Sequence, residues 1–157
     1  MTATTPVAFD PKPRRLGQTA TYKATSAILA GQIVGFSATG VSREVVPATS
    51  STGAPVGVAA FSQPTAGGDI MVYGAGCEVL VMLDTDNGTA DAGDIMGVST
   101  VAGMVAVRDP AIQAHDTIVG LQNAVGRLQE DIAAGAATVG GKGYIIVEFS
   151  APVGAAS

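Results

Sequence analysis

The chain has 157 residues, which suits one domain and is enough to bury roughly two thirds of the surface of the unfolded chain. Its net charge of −5 argues against nucleic acid as the main partner, and no run approaches the roughly 20 apolar residues that a membrane span needs. Hydrophobic residues make up 47% of the chain and charged residues only 13%, about half the usual share, so we expect partners to cover part of the surface.

Cysteine content and the chain start add two expectations. Cys77 is the single cysteine, which excludes an intrachain disulfide. No segment combines a positively charged start with a short apolar run, as a signal peptide does. We therefore expect a soluble protein that is not routed through the secretory pathway.

Residues 1–18 are predicted to form an extended arm. Three prolines disfavour both a helix and a central strand there: Pro6, Pro11 and Pro13. Val7, Phe9 and the pair Arg14-Arg15 offer anchors that a pure solubility tail would not need. The alternative is a frayed chain end without a role.

Three similar stretches predict a glycine turn that leads into a strand. They begin at Ala30-Gly31, Ala66-Gly67 and Ala92-Gly93, and each continues into β-branched or apolar residues. Glycine tolerates the positive φ that such a turn requires, and the residues that follow suit a half-buried sheet. The chain is therefore expected to be rich in β-structure.

The two halves of the chain match each other in order, which indicates a duplicated β unit. Residues 31–37 resemble 93–99, Val56-Gly57-Val58 resembles Val119-Gly120-Leu121, and residues 67–72 resemble 140–147. The alternative is chance similarity between glycine-rich stretches. We predict one β-rich domain over 19–150, with a first unit over about 28–83, a second over about 90–149 and a loose tail at 151–157.

The region 122–134 carries the best helical pattern in the chain. Four apolar residues fall on one helical stripe, and Gly135 would end the helix. The stripe consists of Leu121, Val125, Leu128 and Ile132. An amphipathic helix that covers an open end of the β core is therefore expected, with a partner-binding helix as the alternative.

Three patterns could carry chemistry, and each has a simpler interpretation. Cys77 and His115 lack the third group of a nucleophilic site, so Cys77 is expected to be a small buried residue. The acidic run from Asp84 to Asp91 lacks the terminal glutamate of a calcium loop and is expected to be a hairpin turn. Lys142 lies among glycines, outside the tripeptides of biotinyl and lipoyl carriers. We predict no enzyme, with no catalytic, cofactor-binding or metal-binding residues.

The arm and three of these motifs together resemble the capsid decoration, or cement, proteins of tailed viruses. The motifs are Pro55-Val56-Gly57-Val58-Ala59, the stretch from Ala66 to Val72 and the stretch from Ala92 to Gly97. The resemblance spans residues 20–149 and implies a small β-barrel or β-tulip domain, here built from two similar β units with one short amphipathic helix and an extended arm. The helix has no counterpart in the family.

The resemblance also implies a function. It implies a structural protein, commonly a homotrimer, that is made in the host cytoplasm, sits on the outer surface of the virion head and stabilises contacts between major capsid subunits. Strand addition by the arm suits that role, so we expect the capsid contact at Phe9, Arg14, Arg15 and Leu16. The alternative is another β-rich virion component, such as a tail or fibre adaptor.

Overall fold

The computed structural model describes residues 7–37, 43–49, 54–84, 91–99, 101–107, 124–131 and 142–148. Within these residues all regular structure is β, and no helix is long and apolar enough to cross a membrane. The described residues form ten strands: β1 (Thr19–Ala24), β2 (Ile33–Phe36), β3 (Glu44–Pro47), β4 (Pro55–Ala59), β5 (Asp69–Tyr73), β6 (Glu78–Met82), β7 (Ile95–Val98), β8 (Val105–Val107), β9 (Ala124–Leu128) and β10 (Lys142–Val147).

The first five strands form a closed barrel in the order β1-β3-β2-β4-β5. β1 closes it by pairing antiparallel with β5 and, over Lys23 and Ala24, parallel with β3. The expected glycine turns lead into β2, β5 and β7, where Gly31, Gly67 and Gly93 have φ of 92°, 90° and 96°. The prediction of a mainly β protein with a small barrel is confirmed.

The last five strands repeat this arrangement strand for strand. Their order is β6-β10-β9-β7-β8, so β6 corresponds to β1, β8 to β3, β7 to β2, β9 to β4 and β10 to β5. The pairing registers agree, since Tyr73 lies opposite Thr19 in the first barrel and Ile146 lies opposite Glu78 in the second sheet. An isolated parallel bridge, Leu83 to Val105, joins the two ends of the second sheet.

The helix expected over 122–134 is wrong for the residues that the structure describes there, because Ala124–Leu128 form strand β9. β9 pairs with β7 on one side and β10 on the other, and these long-range hydrogen bonds leave no mark on local periodicity. A register shift opposite Met96 and Gly97 gives β9 one extra residue, so Val125 and Leu128 are both fully buried although they lie three apart. That spacing imitates a helix.

The unit boundaries also differ from the expected ones. β1 belongs to the first unit and β6 to the second, so the units run over about 19–73 and 78–147 instead of 28–83 and 90–149. The match of Val56-Gly57 with Val119-Gly120 is wrong as well, because Val125-Gly126 occupies that place opposite β7. The match of residues 67–72 with 140–147 agrees with the pairing of β5 and β10.

Residues 31–33, at the start of β2, hold the second sheet partly open and join the two units. In the first barrel the Lys23 N–H donates to the Arg43 carbonyl at 2.7 Å. The corresponding Met82 N–H instead donates to the Gly31 carbonyl at 2.9 Å, and the Ile33 N–H donates to the Gly103 carbonyl at 3.0 Å. The Gly31–Ile33 segment therefore stands between the ends of β6 and β8.

Two hydrophobic clusters follow this division. The smaller lies inside the first barrel and includes Ile28, Val45 and Ile70. The larger fills the second sheet and extends into the first unit at Ile33, Val58 and other residues. The core of the second unit is thus completed by the first, which makes the two units one packed body.

Candidate functional site

The arm lies along the outer edge of β6. The Leu80 N–H donates to the Pro11 carbonyl at 2.7 Å, and the Glu78 N–H donates to the Arg15 carbonyl at 2.9 Å. The Arg14 N–H completes the ladder by donating to the Glu78 carbonyl at 2.8 Å. Residues 11–15 therefore add a short backbone-paired segment to the edge of β6, with one bridge between Arg15 and Glu78.

Arg14 fastens the arm through its side chain. Its guanidinium forms a salt bridge with Glu78, lies 3.5 Å from a Glu130 carboxylate oxygen and stacks 3.5 Å above the centre of the Tyr144 ring. The Tyr144 hydroxyl in turn donates to the Lys12 carbonyl at 3.1 Å. Cation and ring together fix the middle of the arm over β10.

Phe9 anchors the start of the arm. Its N–H donates to the Ala30 carbonyl at 3.2 Å, and its ring occupies the space that a side chain at Gly31 would need. The Phe9 ring also contacts Lys142, whose ammonium lies 5.0 Å from the centre of the ring. Because Gly31 also accepts from Met82, Phe9 seals the junction between the two units.

The structure separates the four residues expected at a capsid contact into two kinds. Phe9 and Arg14 face the body of the protein through the contacts above. Arg15 is exposed, although its Nε donates to the Gly76 carbonyl at 3.3 Å, and Leu16 has no polar role and is 66% exposed. Arg15 and Leu16 therefore remain accessible on the outer side of the arm.

We expect Arg14→Ala to loosen the arm without unfolding the barrels. Loss of the salt bridge and ring contact should lower stability by about 1 kcal/mol, because the guanidinium is partly solvated. Hydrogen exchange at the Leu80 and Glu78 amides should accelerate. Arg15→Ala is the matched control. Equal exchange rates in both variants would contradict the role of the Arg14 side chain in holding the arm.

Cys77 holds the end of the arm where it meets the start of β6. It is fully buried directly before β6, its sulfur accepts from the Gly17 N–H at 3.2 Å, and its thiol donates to the Gln18 carbonyl at 3.4 Å. The prediction of a small buried residue agrees with this position. His115 and most of the acidic run 84–91 lie outside the described residues, and the described residues contain no cluster of three metal-ligating side chains.

Tyr73 stands where the arm, β5 and the second core meet. Burial raises the pKa of its phenol above the ordinary value of 10.0, and the charges of Asp10 and Cys77 act in the same direction. Stability should therefore be fully present below about pH 10 and fall as the pH rises through the folded pKa. Tyr73→Phe should flatten that fall, which denaturant titrations in alkaline buffers would measure. An identical decline in both proteins would contradict this assignment.

Sequence reasoning missed a second surface beside β1. A groove of about 490 Å³ runs along this strand and has Tyr22, Phe36 and Val56 among its lining residues. Their counterparts in the second sheet are buried valines, namely Val81, Val98 and Val125. Comparison of corresponding positions in the two units is the signal that could have found it, since Tyr22 and Phe36 are larger than the valines they correspond to.

These features define a small duplicated β protein in which the amino-terminal segment completes the second unit. No protein-family model matches the chain, and no curated protein matches it. Among solved structures, it is similar to the head fibre gp8.5 N base of bacteriophage phi29, with a TM-score of 0.55 and 16% identity over 85% of this chain and 95% of that chain. At that identity the likeness establishes a common fold.

Proposed function

We propose that the chain is a structural protein of a tailed-virus particle, located on the outer surface of the head. The single observation that carries the proposal is the likeness of nearly the whole fold to the N base of a phage head fibre. The arm and glycine motifs, which resemble those of decoration proteins, support the same placement independently. The proposal includes no enzymatic activity, cofactor or metal.

Within that role, we favour a decoration protein that stabilises contacts between major capsid subunits, as a homotrimer. Three linked copies would turn weak single contacts into firm attachment. Arg15 and Leu16 would supply the contact, because they are the exposed members of the four arm residues. Phe9 and Arg14 would hold the arm in place for it.

The second candidate is the base of a head fibre or another adaptor. The likeness to the N base of a head fibre favours it directly. Both candidates share the surface location, but a decoration protein repeats across the whole lattice, whereas an adaptor need not. The two therefore differ in copy number and in what they carry.

Quantitative mass spectrometry of purified particles, combined with electron cryomicroscopy, tests the proposal. A decoration protein should be present in a simple ratio to the major capsid protein and appear as uniform density on the head. An adaptor should be much scarcer or carry a projecting fibre. Absence of the chain from washed particles would overturn both candidates.

We expect Leu16→Asp to reduce binding to undecorated heads by at least about tenfold, since it places a charge in an apolar contact. Binding would be measured by cosedimentation with heads. Val101→Asp is the control, because Val101 is 40% exposed in the connection between β7 and β8 and distant in sequence from the arm. Normal decoration by Leu16→Asp, or by a chain lacking residues 2–16, would contradict the proposal that the arm contacts the capsid.

A further inference from the structure

The outer edge of β1 differs from that of β6 at corresponding positions. Thr19 and Thr21 correspond to Glu78 and Leu80, because each pair lies opposite corresponding residues of β5 and β10. Glu78 and Leu80 direct their outward backbone groups to the arm. The N–H groups of Thr19 and Thr21 have no hydrogen-bond partner among the described residues.

Beyond these positions the outward N–H groups of both edges have acceptors, since Lys23 donates to the Arg43 carbonyl and the corresponding Met82 donates to the Gly31 carbonyl. Further along, the Thr25 N–H donates to the Val45 carbonyl at 3.0 Å, as the corresponding Asp84 N–H does to the Val105 carbonyl at 2.9 Å. The other edge of β1 pairs with β5, and Gln18, just before β1, bonds to Gly74 and Ala75, just after β5. Among the described residues, the N–H groups of the first edge lack acceptors only over the part that corresponds to the arm-covered part of the second.

An apolar groove adjoins this open edge. Tyr22 and Phe36 meet edge to face with ring centres 6.1 Å apart, and Pro55 and Val56 line the groove with them. Phe36 remains 41% exposed, although the corresponding Val98 is buried. A backbone edge with unpaired N–H groups beside an apolar groove is the arrangement that binds an extended peptide by strand addition.

Arg43 places a positive charge against Tyr22, one of the residues that line the groove. Its guanidinium lies 4.7 Å from the centre of the Tyr22 ring and donates to the Thr21 carbonyl. An acidic side chain on the incoming segment would pair with it. The only described segment that occupies the corresponding edge, the arm, is already held by β6 of its own chain, which argues against the arm of a second copy.

We propose that the open edge of β1 binds an extended segment of a partner protein. The segment pairs its backbone with Thr19 and Thr21, inserts an apolar side chain beside Phe36 and places a carboxylate near Arg43. The inference rests on the edge and the groove, and it holds whether or not the chain belongs to a virus particle.

Amide hydrogen exchange on the full chain tests the edge itself. The Thr19 and Thr21 amides should exchange rapidly, and the corresponding Glu78 and Leu80 amides should be protected by the arm. Protection of Thr19 and Thr21 in the isolated chain would overturn the proposal, because the edge would already be occupied.

Selection from a displayed library of random peptides of about 12 residues tests the binding. Selected peptides should be apolar at alternate positions and should protect the Thr21 amide. Their affinity should fall at least about tenfold for Thr21→Pro, which removes the N–H at an edge position that tolerates proline, and for Phe36→Asp. Phe61→Asp is the control, since Phe61 is 45% exposed and does not line the groove.

Phe36→Asp carries the test if Thr21→Pro fails to fold. Failure to select any peptide, or selected peptides that bind both variants normally, would overturn the proposal. Sedimentation would reveal the remaining case: self-association of the chain that Phe36→Asp abolishes would make a second copy the occupant and would overturn the assignment to a partner protein.

Discussion

Gly126→Ala is expected to lower the free energy of unfolding by about 3 kcal/mol, near the upper end for overpacking. A Cβ at Gly126 would overlap the Ile146 carbonyl oxygen, which belongs to the neighbouring strand β10 and cannot move without breaking the sheet. Gly57 in the first barrel has the corresponding conflict with the Tyr73 carbonyl oxygen. Gly57→Ala should therefore be at least as damaging, and its φ of 150° adds strain.

Gly93→Ala separates this steric effect from ordinary glycine strain. Gly93 has a φ of 96°, but apart from its chain neighbours no atom of the described residues lies within 4 Å of the position that its Cβ would take. We expect a loss of only about 1–2 kcal/mol from the backbone conformation. Urea unfolding followed by circular dichroism would measure all three variants, and a smaller loss for Gly126→Ala than for Gly93→Ala would contradict the close approach.

Removal of residues 2–16 is expected to have the second large effect, a loss of about 3 kcal/mol from four backbone hydrogen bonds and the buried Pro11. The deletion uncovers the edge of β6 at Glu78 and Leu80. An uncovered edge pairs readily with other chains, so the shortened protein should also self-associate. Thermal unfolding and size-exclusion chromatography would measure the two effects.

A chain lacking only residues 2–6 is the control, because it keeps every arm contact described above. It should remain as stable as the full chain and elute at the same volume. A 2–16 deletion that matches this control in stability and elution would show that the arm is dispensable for the fold. The Leu16→Asp variant keeps the arm and should stay folded. A loss of head binding in this variant would therefore test the surface contact separately from the stability of the fold.

The sequence predicted the three glycine turns and the strands that follow them because these signals are local. Gly31, Gly67 and Gly93 mark turns by a conformation that only glycine adopts readily, and the apolar residues after them form β2, β5 and β7 as expected. The order of the matching stretches also indicated a duplication. Its exact register was partly wrong, because Val-Gly pairs occur both at Val119-Gly120 and at Val125-Gly126.

The sequence failed at β9 because that strand is held by distant neighbours. Val125 and Leu128 have helical spacing, yet pairing with β7 and β10 and the extra residue at the register shift place both in the core. Apolar residues spaced three and four apart in the sequence cannot reveal a bulge, because the bulge depends on pairing with another strand. Phe9 and Arg14 were expected at a contact with a capsid, which stays a prediction. Their contacts within the chain are made with Gly31, Glu78 and Tyr144, which are distant in sequence.

The sequence by itself determined that this is a β protein with glycine turns, a duplicated pattern and an extended amino-terminal segment. These properties follow from backbone conformation and residue spacing, which act over a few residues. Only the tertiary structure decided that the arm covers β6 while the corresponding edge of β1 stays open. Edge pairing depends on which strands meet in space, and no local pattern in Thr19–Tyr22 or Glu78–Val81 carries that information.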